Sequence, residues 1–247
     1  MRYFLKLSYK GTNYHGWQEQ PNAVSVQSTI EKALSLILRY PTKIAGAGRT
    51  DAGVHASQMY AHFDIENEID TTQIRQKLNS FLPKDIAIAR ILPVTDDAHA
   101  RFDALARSYV YKIHLKKNPF LTDLSWFMHK SLDVGLMNTA AKALLFFDDF
   151  QSFSKTHTDV KTFICRVDHA EWIKQGDELT FHITADRFLR NMVRAIVGTL
   201  IDVGLHKISV DDFTKIIEAK NRQKAGFSVP AKGLYLSKIV YPKEIFI

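Results

Sequence analysis

The sequence predicts an α+β fold of two ferredoxin-like (RRM-like) βαββαβ halves, residues 1–104 and 105–247. Three observations carry this. Up to Ile91, segments of period-two alternation and segments of helical spacing follow one another in the order β-α-β-β-α-β. The second half repeats that order with one added strand and one added helix. Near 100–106, where the halves meet, no Pro/Gly/Ser-rich linker intervenes, so the halves are expected to share a sheet or pack tightly, with a cleft between them.

Each element has a local reason. Residues 2–10 alternate as a strand, and the polar stretch Gly11-Thr12-Asn13-Tyr14-His15-Gly16-Trp17-Gln18 reads as a loop. Val26, Ile30, Ala33, Leu34 and Ile37 recur at helical spacing, with Ser25 as N-cap and Pro41 ending the helix. Short strands are predicted near 42–46 and over 56–64. Ile74, Leu78, Phe81 and Leu82 mark a second helix, capped by Asp70 or Thr71 and closed by Pro83, and Ile86, Ile88 and Ile91 open a further strand.

In the second half, strands are predicted over 107–116 and near 125–129, then a helix with Leu136, Ala140, Ala143, Leu144 and Phe147 inside. Strands over 163–174 and 178–186 join at Gln175-Gly176-Asp177. A helix from Phe188 carries the core stripe Leu189, Met192, Val193, Ile196, Val197 and Leu200, with Gly204 as its stop. Ser209 and Asp212 form a capping box for a last helix, 220–232 read as a loop and 233–241 as the final strand.

Composition narrows the function classes. The 33 Lys and Arg against 26 Asp and Glu give a net charge of +7, which favours a polyanionic partner, nucleic acid first. No apolar run is long enough to span a bilayer, and the N-terminus alternates as a strand rather than reading as a signal peptide. The single cysteine, Cys165, excludes an internal disulfide and fits a reducing, cytoplasmic compartment. The ten histidines show no metal spacing, so neither a metal nor a cofactor is expected.

The stretch with chemical content is Gly46-Ala47-Gly48-Arg49-Thr50-Asp51-Ala52-Gly53-Val54-His55. Its glycines allow tight backbone and close ligand approach, so the loop can hold the Asp51 carboxylate out in a cleft with Arg49 two residues away. Its spacing matches no nucleotide-binding loop, and an ordinary hairpin connection accounts for it equally well. Arg187, Arg190 and Arg194 fall within roughly 60° of one another at helical spacing: either a solvated face, or a source of one cation that pairs with Asp51 and keeps it ionised. Tyr109 and Tyr111 share one strand face. At least one is expected in the core, and one at a cleft could stack on a base or relay a proton. His55 beside Asp51 raises a hydrolase reading, but no Ser or Cys nucleophile motif accompanies it.

Read together, these motifs resemble the TruA family of tRNA pseudouridine synthases over nearly the whole chain. Gly48-Arg49-Thr50-Asp51-Ala52-Gly53-Val54-His55 is the most specific part. Tyr14-His15-Gly16-Trp17-Gln18-Glu19-Gln20, His99-Ala100-Arg101-Phe102, Arg107-Ser108-Tyr109-Val110-Tyr111, Phe188-Leu189-Arg190-Asn191-Met192-Val193-Arg194 and Ala231-Lys232-Gly233-Leu234-Tyr235-Leu236 support it in order. The resemblance implies a pseudouridine synthase fold around a central catalytic cleft. It implies a cofactor-free cytoplasmic homodimer that isomerises uridine to pseudouridine at positions 38, 39 and 40 of the tRNA anticodon stem-loop. It further implies that Asp51 is the catalytic aspartate, Tyr109 the substrate-contacting tyrosine, and Arg194 the partner of the aspartate. Arg49 would fill the space left by the flipped base, Leu234 or Leu236 would wall the pocket, and Arg101 and His55 fall among the substrate-binding residues. The chain departs from the family in Ala225-Gly226-Phe227-Ser228-Val229-Pro230, where relatives more often carry small residues at Phe227 and Val229.

The implied reaction breaks an N-glycosidic bond, rotates uracil and joins C5 to C1′. A stacked base cannot do this, so it must leave the stem at a cost of a few kcal/mol, offset by phosphate contacts with a basic surface. Asp51 would either attack C1′ or take the C2′ proton. The competing reading is a non-enzymatic RNA-binding module, since RRM domains share this half-fold. The RRM aromatic signature is absent from the sequence.

Overall fold

The computed structural model describes residues 1–156 and 160–247. The described residues form a mixed α/β structure with mostly antiparallel strand pairing and five α-helices. The chain forms two compact units, residues 1–105 with 235–247, and residues 106–234.

In the first unit the elements run β1 (Arg2–Tyr9), α1 (Val26–Leu38), β2 (Ala45–Gly46), β3 (His55–Asp64), α2 (Thr71–Phe81) and β4 (Ile86–Val94). β1 lies between β4 and β3, antiparallel to both, and β2 pairs antiparallel with β3, giving the order β4-β1-β3-β2. The last strand, β9 (Leu234–Val240), pairs in parallel with β3 through His55 and Tyr235. Tyr3, Leu5 and Leu7 sit opposite Phe63, Ala61 and Met59, which places them on one sheet face. Phe4 points to the other face, among Tyr60, His62, Tyr241 and Phe246. Its full burial is worth roughly 1.5–3 kcal/mol.

The caps that the sequence signals are present. Ser25 and Ser28 form a capping box at α1, and the Asp70 side chain accepts from the Gln73 N–H at 2.9 Å at α2. Arg39 ends α1 in the left-handed region at φ 65°, ahead of Pro41. β2 is confined to Ala45 and Gly46, shorter than the predicted 42–46, and β3 starts at His55.

In the second unit β5 (Ala106–His114) and β7 (Val167–Gln175) flank β8 (Glu178–Ala185), all antiparallel, and β6 (Trp126–Phe127) adds in parallel to β5. The helices are α3 (Val134–Ala143), α4 (Met192–Gly204) and α5 (Val210–Glu218). The predicted capping box of Ser209 and Asp212 holds the start of α5.

Three predictions are corrected here. α3 buries the predicted Ala140, with Leu144 buried just beyond it, but exposes Leu136 and buries Met137 in its place, since both are apolar neighbours. β7 starts at Val167 rather than 163, and Ile164 makes only an isolated bridge with Asp149. α4 starts at Met192 rather than near Phe188. Asn191 sits at φ 68°, a left-handed residue that interrupts the helical path, and Asp186 accepts from the Arg187 N–H at 2.6 Å. Arg187 and Arg190 therefore lie outside the helix and form no stripe with Arg194. α4 is buried nearly all round, as expected of a helix at the centre of a unit.

Candidate active site

The Asp51 loop connects β2 to β3 within the first unit. Gly46 pairs with Ala61, and Ala47 donates to the Tyr60 carbonyl at 2.8 Å, so the chain leaves the sheet just before Arg49. Gly53, at φ +77°, and a bond from the Val54 N–H to the Asp51 carbonyl at 3.1 Å form the turn that brings it back. Asp51 is half-buried and Arg49 exposed.

A second segment, residues 11–18, grips this turn through the backbone. Trp17 donates to the Thr50 carbonyl at 3.2 Å, and Gly53 donates to the Tyr14 carbonyl at 3.3 Å. Gly16 is at φ +93°, and a Cβ there would overlap the Thr50 carbonyl oxygen and lie 3.2 Å from the Asp51 carbonyl carbon. Gly46 is packed so closely on the Trp17 ring that a side chain would have no space. The Thr50 hydroxyl shares a 2.9 Å hydrogen bond with the Tyr9 hydroxyl, and both side chains are buried. The Tyr14 hydroxyl donates to Asp85, and burial together with that carboxylate raises the pKa of the phenol. The backbone on both sides of Asp51 is therefore fixed by bonds to the segment before α1.

His55 is 1% exposed, and its Nδ1 accepts from the Gly11 N–H at 2.9 Å, so one ring nitrogen ties the two loops together. Its ring lies 4.6 Å from that of Tyr235. Arg101 is exposed on a turn whose N–H groups at Arg101 and Phe102 donate to His99 Nδ1 at 3.1 and 3.4 Å, with its guanidinium 5.6 Å from the Phe102 ring centre. Beneath it, His62 accepts from the Ala100 N–H at 3.2 Å. Burial, then Arg2 and His99, pushes the His62 pKa down to about 4.

In the second unit Tyr109 stands on β5 opposite Ile183, half-buried, with Phe188 edge-on at 5.0 Å. Two residues on, Tyr111 is fully buried and donates to the Pro230 carbonyl at 2.9 Å, and burial raises its pKa. Tyr111 is thus the core tyrosine of the pair. Arg194 is half-buried on the first turn of α4. Its Nε donates to the Val229 carbonyl at 2.7 Å, and its own carbonyl accepts from the Val229 N–H at 3.2 Å. Leu234 and Leu236 are both buried. Cys165 is buried, and burial pushes its thiol up to about 12, which gives it a packing role. Among the described residues no group of His, Cys, Asp and Glu is arranged to hold a metal ion, and no helix is long and apolar enough to cross a membrane.

The comparisons with known proteins bear on a chain with these features. A family model described as tRNA pseudouridine synthase matches residues 7–103 and 140–242. The chain belongs to the tRNA pseudouridine synthase family. It is an isomerase by that membership. It is 57% identical over 248 residues to tRNA pseudouridine synthase A of Bacteroides fragilis, covering 99% of this chain and 98% of that one. The protein of the same name from Porphyromonas gingivalis is 52% identical over 250 residues, covering 100% and 99%. That from Staphylococcus aureus is 38% identical over 241 residues, covering 97% and 90%. The Asp51 loop and α4 lie within the residues that the family model matches, while β5 falls between its two matched segments and is covered by the whole-chain similarity to these relatives.

Sequence reasoning named Asp51, Tyr109 and Arg194 but missed what holds them. Gly16 and Trp17 were visible as a glycine-bearing aromatic loop, yet their contacts with Thr50 cross more than thirty residues. Val229, the anchor of the Arg194 guanidinium, stood out only as a departure from the family pattern, with nothing local to signal its bonds to Arg194.

Proposed function

We propose that the chain isomerises uridine to pseudouridine at positions 38, 39 and 40 of the tRNA anticodon stem-loop, with Asp51 acting on the ribose of a flipped-out nucleotide. The observation that carries this reading is the backbone cage around Asp51. A carboxylate on a half-buried turn, held by Trp17, Gly53 and Val54, is the kind of pre-positioned group that covalent or general-base chemistry needs. Family membership supports the substrate class.

In this reading the target base leaves its stack, because C1′ is out of reach while uracil is paired. Asp51 then either attacks C1′ as a nucleophile, releasing uracil, or removes the C2′ proton so that the glycosidic electrons leave with uracil. In the first route C5 of the rotated uracil displaces the Asp51 oxygen from C1′, and in the second C5 adds to C1′ as the proton returns to C2′. In both the C5 proton is lost and N1 gains one, so the product is an isomer of the substrate. Arg194 is the cation that keeps Asp51 ionised, and Tyr109 contacts the substrate, its ring braced by Phe188. Arg49 occupies the space vacated by the base. Leu234 supplies an apolar wall, Arg101 contacts the RNA, and His55 contributes by holding the Asp51 loop to Gly11. No redox change or group transfer occurs, so the chemistry calls for no cofactor.

Residues 1–104 and 105–247 act in this proposal as two ferredoxin-like halves, and the order β4-β1-β3-β2 of the first unit supports that reading for the first half. The working protein is a cytoplasmic homodimer, and the net charge of +7 suits its tRNA partner.

The test is incubation of the wild-type chain with unmodified tRNA, followed by mapping of pseudouridine along the product. Pseudouridine confined to positions 38, 39 and 40 is the expected result. Tight binding of the tRNA with no pseudouridine would instead make the chain an RNA-binding module.

A further inference from the structure

Arg222, in the 3-10 turn Arg222–Lys224, has no place in the mechanism above, yet it is the hub of a network that reaches Arg194. Its Nη1 donates to the carbonyls of Ala225 and Gly226 at 3.3 and 3.0 Å, and its Nη2 donates to the Ser228 hydroxyl at 2.9 Å. All three acceptors are neutral. Burial lowers the guanidinium's pKa. A half-buried arginine whose acceptors among the described residues are all neutral costs desolvation that a neutral side chain would not incur. What it gains is control over the path of residues 225–229.

That path is pressed onto α4. Gly226 donates to the Thr199 hydroxyl at 2.9 Å, and a Cβ on Gly226 would lie 2.8 Å from the Thr199 nitrogen. Gly198 has no room for a side chain beneath the Phe227 carbonyl. The Asn191 amide donates to Ser228 at 2.6 Å, fastening the segment to the residue just before α4. One residue further, Val229 exchanges two hydrogen bonds with Arg194, one of them to the guanidinium Nε. With Nε committed to the Val229 carbonyl, the plane of the guanidinium is set, and so is the direction of its Nη fork.

We propose that Arg222 is a positioning residue, which by fixing residues 225–229 against α4 orients the Arg194 guanidinium for its pairing with Asp51. The proposal rests on the catalytic role assigned above to Arg194, so the test separates the two.

The test is a double-mutant cycle read by single-turnover pseudouridine formation on unmodified tRNA, with tRNA Kd and Tm measured for each variant. Arg222→Met is expected to slow turnover about 10- to 100-fold, the scale of a displacement of about 1 Å in a catalytic group, with Kd unchanged. In an Arg194→Lys background, which lacks the Nε–H that Val229 receives, Arg222→Met should bring no further loss. Arg222→Lys, able to reach fewer of the three acceptors, should fall between wild type and Arg222→Met. If Arg222→Met does not fold, Ser228→Ala, which removes the shared acceptor of Arg222 and Asn191, takes its place in the same cycle. A wild-type rate in Arg222→Met, or an equal loss in both backgrounds, would overturn the proposal. A wild-type rate in Arg194→Lys alone would instead overturn the role of Arg194 on which it stands.

Discussion

Replacing Gly16 with alanine should disable the protein from a position that touches no substrate. Gly16 is at φ +93°, a conformation L-residues adopt at a cost of roughly 1–2 kcal/mol. The new methyl would also run into the Thr50 carbonyl oxygen, with the Asp51 carbonyl carbon at 3.2 Å and the Ala52 nitrogen at 3.3 Å. All three are backbone atoms, so no side chain can swing aside, and overpacking of this kind typically costs about 1–3 kcal/mol. Together these make about 2–5 kcal/mol, which for a chain of this size lowers Tm by about 4–20 °C. The relief route is outward movement of Thr50 and Asp51, which stretches the 3.2 Å bond from Trp17 and displaces the carboxylate. A shift of about 1 Å in a catalytic group lowers the rate about 100-fold.

Gly176 provides the control. It is at φ +58° in the β7–β8 turn, with no atom within 4 Å of a built Cβ. Gly176→Ala therefore isolates the backbone term, and its turnover should be that of wild type. The assay is single-turnover pseudouridine formation well below Tm, beside thermal melts of both variants. Equal Tm losses in the two variants, or wild-type turnover in folded Gly16→Ala, would refute the role assigned to the clamp.

Two other predictions concern the turn carrying Arg101. His62 titrates at about 4 in the folded chain against a usual value of 6.5, so the unfolded chain binds the extra proton between those values. Its contribution to stability is complete above about pH 6.5 and is lost as pH falls towards 4, up to about 3 kcal/mol. Denaturant unfolding from pH 7.5 to 4 should show this slope, and His62→Gln should flatten it; an unaltered slope would discount His62 as its source. Arg101→Ala should weaken tRNA binding and reduce the slope of log K against log salt by about one, and an unchanged slope would remove Arg101 from the RNA contact.

Local chemistry was legible wherever the cause lay within a few residues. Ser25, Asp70, Ser209 and Asp212 announce their helices because a cap side chain and the N–H that donates to it are three residues apart. The start of α4 was not legible, since Leu189 and Met192 keep apolar spacing straight across a turn in which Asn191 turns left-handed. The exchange of Leu136 for Met137 in the core face of α3 has a similar origin: the two neighbours are equally apolar, and packing against α4 selects Met137, whose sulfur lies against Gly204. For the candidate site, the motif around Asp51 named the carboxylate. It did not reveal that a carboxyl-bearing turn needs Gly16 at positive φ and Gly46 beneath an indole, because those requirements come from residues brought together only by the fold. The same holds for Val229 and Arg222.

Asp51→Asn tests the central claim most directly, because it preserves the shape of the side chain and removes only its charge and basicity. Single-turnover mapping on unmodified tRNA should find no pseudouridine, while the tRNA Kd stays at its wild-type value. Pseudouridine accumulating at the wild-type rate in a clean Asp51→Asn preparation would show that the carboxylate is not the reacting group.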